Sequence, residues 1–257
     1  MIKNLIRTII RLIRPYRAGD NSDYWRSRSK CEGQAAVLWT NLYYNAAYRE
    51  DQRRIIDPYV SKLTSEQKIL DIGCGIGVVV EMIDSLNTKV QIDACDFEEM
   101  ITVAQKNSAV AQRANLIASP AESYHAGDKA YDLIISSACL SAIRDDEKRA
   151  QAIKNCAEMV KESGGILMID PWHSWRFLAR AKCNVRSLNR IMAAHGFEIN
   201  HHSGVIFWPL RTLLSNSNSS EKTTQRYYAL GEKLMKLMGK RTWSDYKILY
   251  YTRCKAS

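Results

Sequence analysis

Lys68-Ile69-Leu70-Asp71-Ile72-Gly73-Cys74-Gly75-Ile76-Gly77 is the stretch on which the fold turns. Lys68–Asp71 reads as a short apolar strand. It runs into three glycines at alternate positions, and Gly77–Leu86 then reads as a helix. Glycines suit a loop that must turn sharply and let a ligand approach its backbone. The helix start behind the loop offers unpaired N–H groups and the positive end of a dipole.

The next strand covers Val90–Asp93 and its run ends at Asp96, 25 residues after Asp71. A carboxylate there is placed to accept hydrogen bonds from both hydroxyls of a ribose, and Phe97 directly after it is placed to stack on adenine. Nicotinamide enzymes use a related loop, but with G-x-G-x-x-G spacing, whereas this one is G-x-G-x-G. Asp71, two residues before the first glycine, would repel a pyrophosphate and attract an ammonium.

KILDIGCGIG (68–77), QIDACDFEEMITVAQ (91–105) and YDLIIS (131–136), in that order, resemble the first, second and fourth motifs of class I S-adenosylmethionine-dependent methyltransferases. The resemblance covers roughly residues 65–205. It implies a doubly wound α/β sheet of seven strands in the order 3-2-1-4-5-7-6, the seventh antiparallel. It also implies S-adenosylmethionine as cofactor, with Asp71, Gly73, Gly75 and Gly77 around the methionine moiety, Asp96 on the ribose and Phe97 facing adenine. Where the family often has an acidic residue after the third strand, this chain reads Ser119-Pro120-Ala121-Glu122. The adenine contact therefore falls to the backbone of Ala121 or to the Glu122 carboxylate. Ser137, after the fourth strand, completes the expected cofactor set.

The rest of the chain alternates in the same way. Strands are expected at Asn115–Ala118, Leu133–Ser136, Gly165–Asp170, Glu198–Trp208 and Tyr246–Tyr251. Helices are expected at Glu98–Asn107, Asp145–Val160, Val185–His195 (capped by Gly196) and Gln225–Met238. Parallel strands need crossovers, and helices supply them. Ser215–Ser220 reads as a flexible loop. Residues 61–257 make the catalytic domain, with a helical insertion near 212–240. Residues 18–60, rich in Tyr and Trp and ending near Pro58, make a helical cap.

Residues 1–17 hold five basic and no acidic side chains. On a helical wheel Ile2, Leu5, Ile6, Ile9, Ile10, Leu12 and Ile13 fill one arc, with Lys3, Arg7, Arg11 and Arg14 opposite, until Pro15 stops the helix. Arginines every few residues exclude a signal peptide, and no run reaches the ~18 apolar residues of a membrane span. The expectation is a helix lying on anionic lipid at the inner face of the cell membrane, or else packed on the protein's own core.

Net charge is +10, divided as +5 over residues 1–60, −6 over 61–175 and +11 over 176–257. An acidic middle between basic ends suits a cofactor-binding core with additions that attract anions. Seven cysteines, none in a C-x-x-C pair, point to a reducing cytoplasm and away from zinc. The basic ends also raise nucleic acid methylation, which is disfavoured because an Asn/Asp-Pro-Pro-Tyr motif is lacking and the basic residues flank the site.

Methyl transfer from a sulfonium is an in-line displacement that needs alignment above all. A hydroxyl acceptor must also lose its proton. The fifth strand ends in Asp170-Pro171-Trp172-His173, where His173 is the candidate base and Asp170 its orienting partner or substitute. A simple turn with a solvated His173 is the equal alternative. His195, His201 and His202 lack metal-ligand spacing. Tyr24, Trp25, Trp39, Tyr43, Tyr44 and Tyr48 either lid the cofactor or pack the core. Arg26, Arg28 and Arg49 either pair with an acidic acceptor or face solvent. The layout, with GKRTWSDYKILYYTR (239–253) at its end, is similar to bacterial methyltransferases that accompany surface-polysaccharide assembly. Three functions are carried forward: O-methylation of a membrane-associated glycan or glycolipid, methylation of a small metabolite or quinone, and a cofactor-binding scaffold without turnover.

Overall fold

The computed structural model describes residues 19–172 and 184–254. The expected membrane helix at residues 1–17 and His173 lie outside them. Seven strands form one sheet: β1 Lys68–Ile72, β2 Gln91–Asp96, β3 Asn115–Ala118, β4 Tyr131–Ser137, β5 Val160–Asp170, β6 Phe197–Phe207 and β7 Ser244–Arg253. Their order is 3-2-1-4-5-7-6, as expected. β1 to β5 run parallel to one another, while β7 is antiparallel to both β5 and β6.

Because successive strand residues point to opposite faces, the central strands build two cores. Ile69, Leu133, Ile135, Leu167 and Ile169 face one core, together with α3 (Val78–Leu86), α4 (Glu98–Ala104), α5 (Ser108–Arg113) and the N-terminal helix α2 (Leu42–Val60). Leu70, Ile72, Ile134, Ile166 and Met168 face the other, against α6 (Asp146–Met159) and α7 (Val185–Ala194). Burial on both sides explains the nearly unbroken apolar runs of β1 and β4.

Boundaries moved where a local signal outweighed periodicity. The expected helix Glu98–Asn107 ends at Ala104, because the Asn107 side chain accepts from Ala109 N and caps α5 instead. β5 begins at Val160, directly after α6, with a register shift before Gly165. The region before β1 is not one helix. It comprises α1 (Ser22–Arg28), a 3-10 turn at Gly33–Ala36, and α2. α2 continues two residues past Pro58, since a proline in the last turn forfeits few helical bonds.

An unforeseen helix, α8 (Trp208–Leu214), follows β6, with Pro209 in its first turn where a missing N–H costs nothing. Ser215–Ser220 is tied down rather than free. Asn41 N donates to Ser215 O at 3.0 Å, and Asn41 Nδ2 to Leu214 O at 3.0 Å. The chain then enters α9 (Glu221–Met238) and the short α10 (Lys240–Trp243) before β7. No helix among the described residues is long and apolar enough to cross a membrane.

Candidate active site

β1 lies between β2 and β4, so crossovers leave it in opposite directions and a crevice opens at the strands' carboxyl ends. A cleft of about 1040 Å³, including its mouth, occupies this place. Its floor is Gly73–Gly75 after β1, Asp96–Phe97 after β2, Pro120–Glu122 after β3 and Ser137–Cys139 after β4.

The glycine loop is shaped by its bonds to β2. Gly73 N and Cys74 N both donate to Cys95 O, at 2.8 and 3.0 Å. Gly73 has φ +73°, and a Cβ there would sit 2.3 Å from Cys139 Sγ. Gly75 has φ +58° and no room for a Cβ against Val37. Gly77, at φ +88°, starts α3, and Val78 and Val79 of its first turn line the cleft.

Asp96 is held by two backbone donors. Gly75 N gives to Oδ2 and Phe97 N to Oδ1, each at 2.7 Å. Burial outweighs these bonds and raises its carboxyl to about 6. Each oxygen keeps a lone pair for a hydroxyl from the cleft. Phe97 lines the cleft, with the Arg26 guanidinium 4.6 Å from its ring centroid.

Beside it, Ser119 N donates to Asp96 O at 2.9 Å, and Asn155 Nδ2 donates to Glu122 O at 3.0 Å. These bonds bring Pro120, Ala121 and Glu122 to the wall where an adenine contact was expected. The Glu122 carboxylate lies 3.7 Å from Lys148 Nζ.

Asp71 lies fully buried beneath the loop, and neither carboxylate oxygen has a hydrogen-bond partner. Burial, and then the Asp96 charge, raise it to about 8, against the pull of Arg49. An orphaned buried carboxylate beside a glycine cradle fits the ammonium of a cationic ligand.

The roof was only partly foreseen. Asp20, Asn21, Ser22 and Trp25 of the N-terminal segment, and Tyr48 and Arg49 of α2, line the cleft. Exposed pairs hold this segment down: Lys148 Nζ meets Asp20 at 2.5 Å, and Arg26 donates to both Glu99 oxygens at 2.9 Å. Asn21 Nδ2 donates to Ala142 O, and Arg144 N to Asn21 Oδ1, both at 3.0 Å. Trp39 packs among Tyr44, Tyr48 and Tyr246. Arg28 turns back to the Ala36 and Leu38 carbonyls. The aromatic and arginine clusters gave the signal, but a sequence cannot say which side chains turn inward.

Asp170 is not on the cleft wall. It is fully buried and accepts from Ser136 Oγ at 2.7 Å and Ser141 Oγ at 2.9 Å. Burial raises it to about 6 in spite of these bonds. Ser136 Oγ also accepts from Leu140 N, so Asp170 braces the turn that carries Ser137–Cys139. Ala138 in that turn has φ +59°, a strained conformation of the kind that collects at functional sites. Ser137 Oγ accepts from Gln52 Nε2 at 2.5 Å. No histidine lines the cleft among the described residues.

The sheet order, the glycine cradle and a carboxylate poised at the end of β2 are those of the class I S-adenosylmethionine-dependent methyltransferase fold. Residues 69–164 match the family described as a methyltransferase domain. No curated protein matches the sequence. Among solved structures, an S-adenosylmethionine-dependent methyltransferase from Archaeoglobus fulgidus is 19% identical with TM-score 0.55, covering 81% of this chain and 94% of its own. Phosphoethanolamine N-methyltransferase 1 from Haemonchus contortus, bound to phosphoethanolamine and S-adenosylhomocysteine, is 13% identical with TM-score 0.60. It covers 91% of this chain and 49% of its own. The YcgJ protein from Bacillus subtilis is 14% identical with TM-score 0.55, covering 80% and 99%. At these identities the likeness is one of fold.

Proposed function

We propose that this protein transfers a methyl group from S-adenosylmethionine to a hydroxyl of a membrane-associated glycan or glycolipid. The observation that carries methyl transfer is the Asp96 carboxylate, oriented by Gly75 N and Phe97 N beside a cradle that excludes any Cβ. When bound, the cofactor supplies an electrophilic methyl on a sulfonium. Asp96 would hold its ribose, Phe97, Pro120 and Ala121 its adenine, and Asp71 its ammonium.

The chain's own work is alignment and exclusion of water. The Asn21–Trp25 segment and α2 close the roof, while Asp170 positions the Ser137–Cys139 turn through Ser136. Asp170 is therefore better read as a positioning residue than as a base. His173 remains the candidate to take the acceptor's proton.

The membrane-associated acceptor is supported by the basic amphipathic sequence of residues 1–17 and by basic segments on both sides of an acidic core. The roof over the cleft favours the second reading, a small soluble acceptor or quinone. A cofactor-binding scaffold would use the same cradle and Asp96, so turnover of the cofactor is what separates it from the enzyme.

The test has two arms. Calorimetry should show S-adenosylmethionine binding by the wild type that is lost in Asp96→Ala. Labelled cofactor should then methylate glycolipid extracts in preference to soluble phenols and quinones. A well-folded wild type that binds no cofactor would refute the enzyme reading. Methylation confined to soluble acceptors would refute the membrane acceptor alone.

A further inference from the structure

We propose that the outward face of α9 is a docking surface for an anionic lipid bilayer. The helix has a clear inner row. Thr224, Gly231 and Met235 are buried, Tyr228 is half-buried, and the Tyr228 hydroxyl donates to Asp51 of α2 at 2.8 Å. Gly231 allows Phe207 at the end of β6 to approach, since a Cβ there would lie 2.9 Å from Phe207 Cβ.

The rest of the helix should then be polar, and it is not. Tyr227, Leu230, Leu234 and Leu237 recur every three or four residues on another side, with Met238 after them. At ~100° per residue they fill one continuous arc. Leu237 is 85% exposed, while Tyr227, Leu230 and Met238 are each more than 40% exposed.

Next to this arc lies a second one made of Lys222, Arg226, Lys233 and Lys236, all exposed. The two acids of the helix are elsewhere on the wheel. Glu221 binds Gln225 Nε2, and Glu232 is half-buried, accepting from Ile206 N and pairing with Lys240. No acidic side chain of α9 falls within the apolar or the basic arc.

Charge decides which occupant fits. The three-and-four spacing would suit a helix of a second copy, but that would set two basic arcs against each other. Residues 1–17, with five basic and no acidic residues, would be repelled in the same way. An anionic bilayer satisfies both arcs: leucines enter the acyl boundary, Tyr227 sits at the interface, and the lysines and arginine meet phosphate headgroups. Through its inner row α9 rests on α2, whose Tyr48 and Arg49 line the cleft, so the docked helix is one element from the site. The inference does not depend on residues 1–17 or on the methyl-transfer reading.

The full chain is sedimented with vesicles of phosphatidylcholine alone and with phosphatidylglycerol added. Two surface variants are compared with wild type: Leu230→Gln with Leu237→Gln, and Lys233→Gln with Lys236→Gln. Thermal melting confirms that both are folded. Each pair should weaken binding to the anionic vesicles about tenfold or more, and neutral vesicles should bind the wild type far less. Variants that bind as wild type does would overturn the proposal, as would absence of vesicle binding. A lipid-indifferent dimer that depends on Leu237 would assign the face to a second copy. Binding to nucleic acid that is lost with the lysines but not the leucines would make it a general polyanion site.

Discussion

The Asp71 carboxylate lies within electrostatic reach of the Arg49 guanidinium, yet the two form no ion pair, and neither Asp71 oxygen is hydrogen-bonded. Arg49 turns its Nη1 to the neutral Gln52 side chain at 2.5 Å and leaves Nε unpaired. A buried acid that keeps its proton beside a half-buried, unpaired guanidinium describes a site that a zwitterionic ligand would complete, its ammonium drawing the Asp71 proton off.

That arrangement sets a pH dependence. Asp71 rises from 3.8 to about 8 on folding, so between about pH 4 and 8 the folded state holds the extra proton. Stability of the cofactor-free protein must therefore fall as pH rises through that window. Asp96 and Asp170, each raised to about 6, act in the same sense over its lower half. Asp71→Asn should remove the fall between pH 6 and 8, keep the part below 6, and lose cofactor affinity. Melting curves from pH 4.5 to 8.5 test this, and identical profiles for both proteins would refute it.

Gly73 combines a left-handed backbone with no room for a side chain. Gly73→Ala combines a φ of +73° with a Cβ 2.3 Å from Cys139 Sγ and 2.4 Å from its Cβ. A cost of about 2–6 kcal/mol is expected from strain and overpacking together. Adding Cys139→Gly should recover the overpacking part but not the backbone part. Urea melts of the single and double variants separate the two, and a Gly73→Ala protein as stable as wild type would contradict the packing described.

The sheet was legible from the sequence because its signals are local: KILDIGCGIG carries strand, turn and helix start within ten residues. Asp96 was legible for the same reason, at a fixed spacing from Asp71. The roof was legible only in part: Trp25, Tyr48 and Arg49 were among its candidates, but which side chains turn inward depends on contacts across the chain such as Asp20–Lys148 and Arg26–Glu99. Asp170 shows the complementary failure. Its place at a strand end suggested chemistry, and only the three-dimensional partners Ser136 and Ser141 reveal a brace.

Asp170→Ala tests that brace. It leaves the buried Ser136 hydroxyl without its acceptor and cuts the part-buried bond from Ser141, and a loss of about 1–3 kcal/mol is expected from the Ser136 group. Asp170→Asn keeps an accepting oxygen and should restore most of that stability. If Asp170 instead acted as the base, Asn would rescue stability but not turnover, so melting and single-turnover methylation need to be measured on both variants.

Roof closure rests on pairs that salt can weaken. Lys148 holds Asp20, whose carboxyl it keeps far below the usual range together with Ser22, and Arg26 grips Glu99 while covering Phe97. Both pairs are substantially exposed, so each is worth about 0–1 kcal/mol and stability should hardly change when they are cut. The effect should appear in kinetics, because opening the roof is what releases a bound ligand. Lys148→Ala combined with Arg26→Ala should release S-adenosylhomocysteine several-fold faster in stopped-flow displacement. Added salt should speed release from the wild type toward that rate and leave the double variant unchanged. A wild-type release rate indifferent to salt would mean that the roof is held by Trp25 and the Asn21 hydrogen bonds instead.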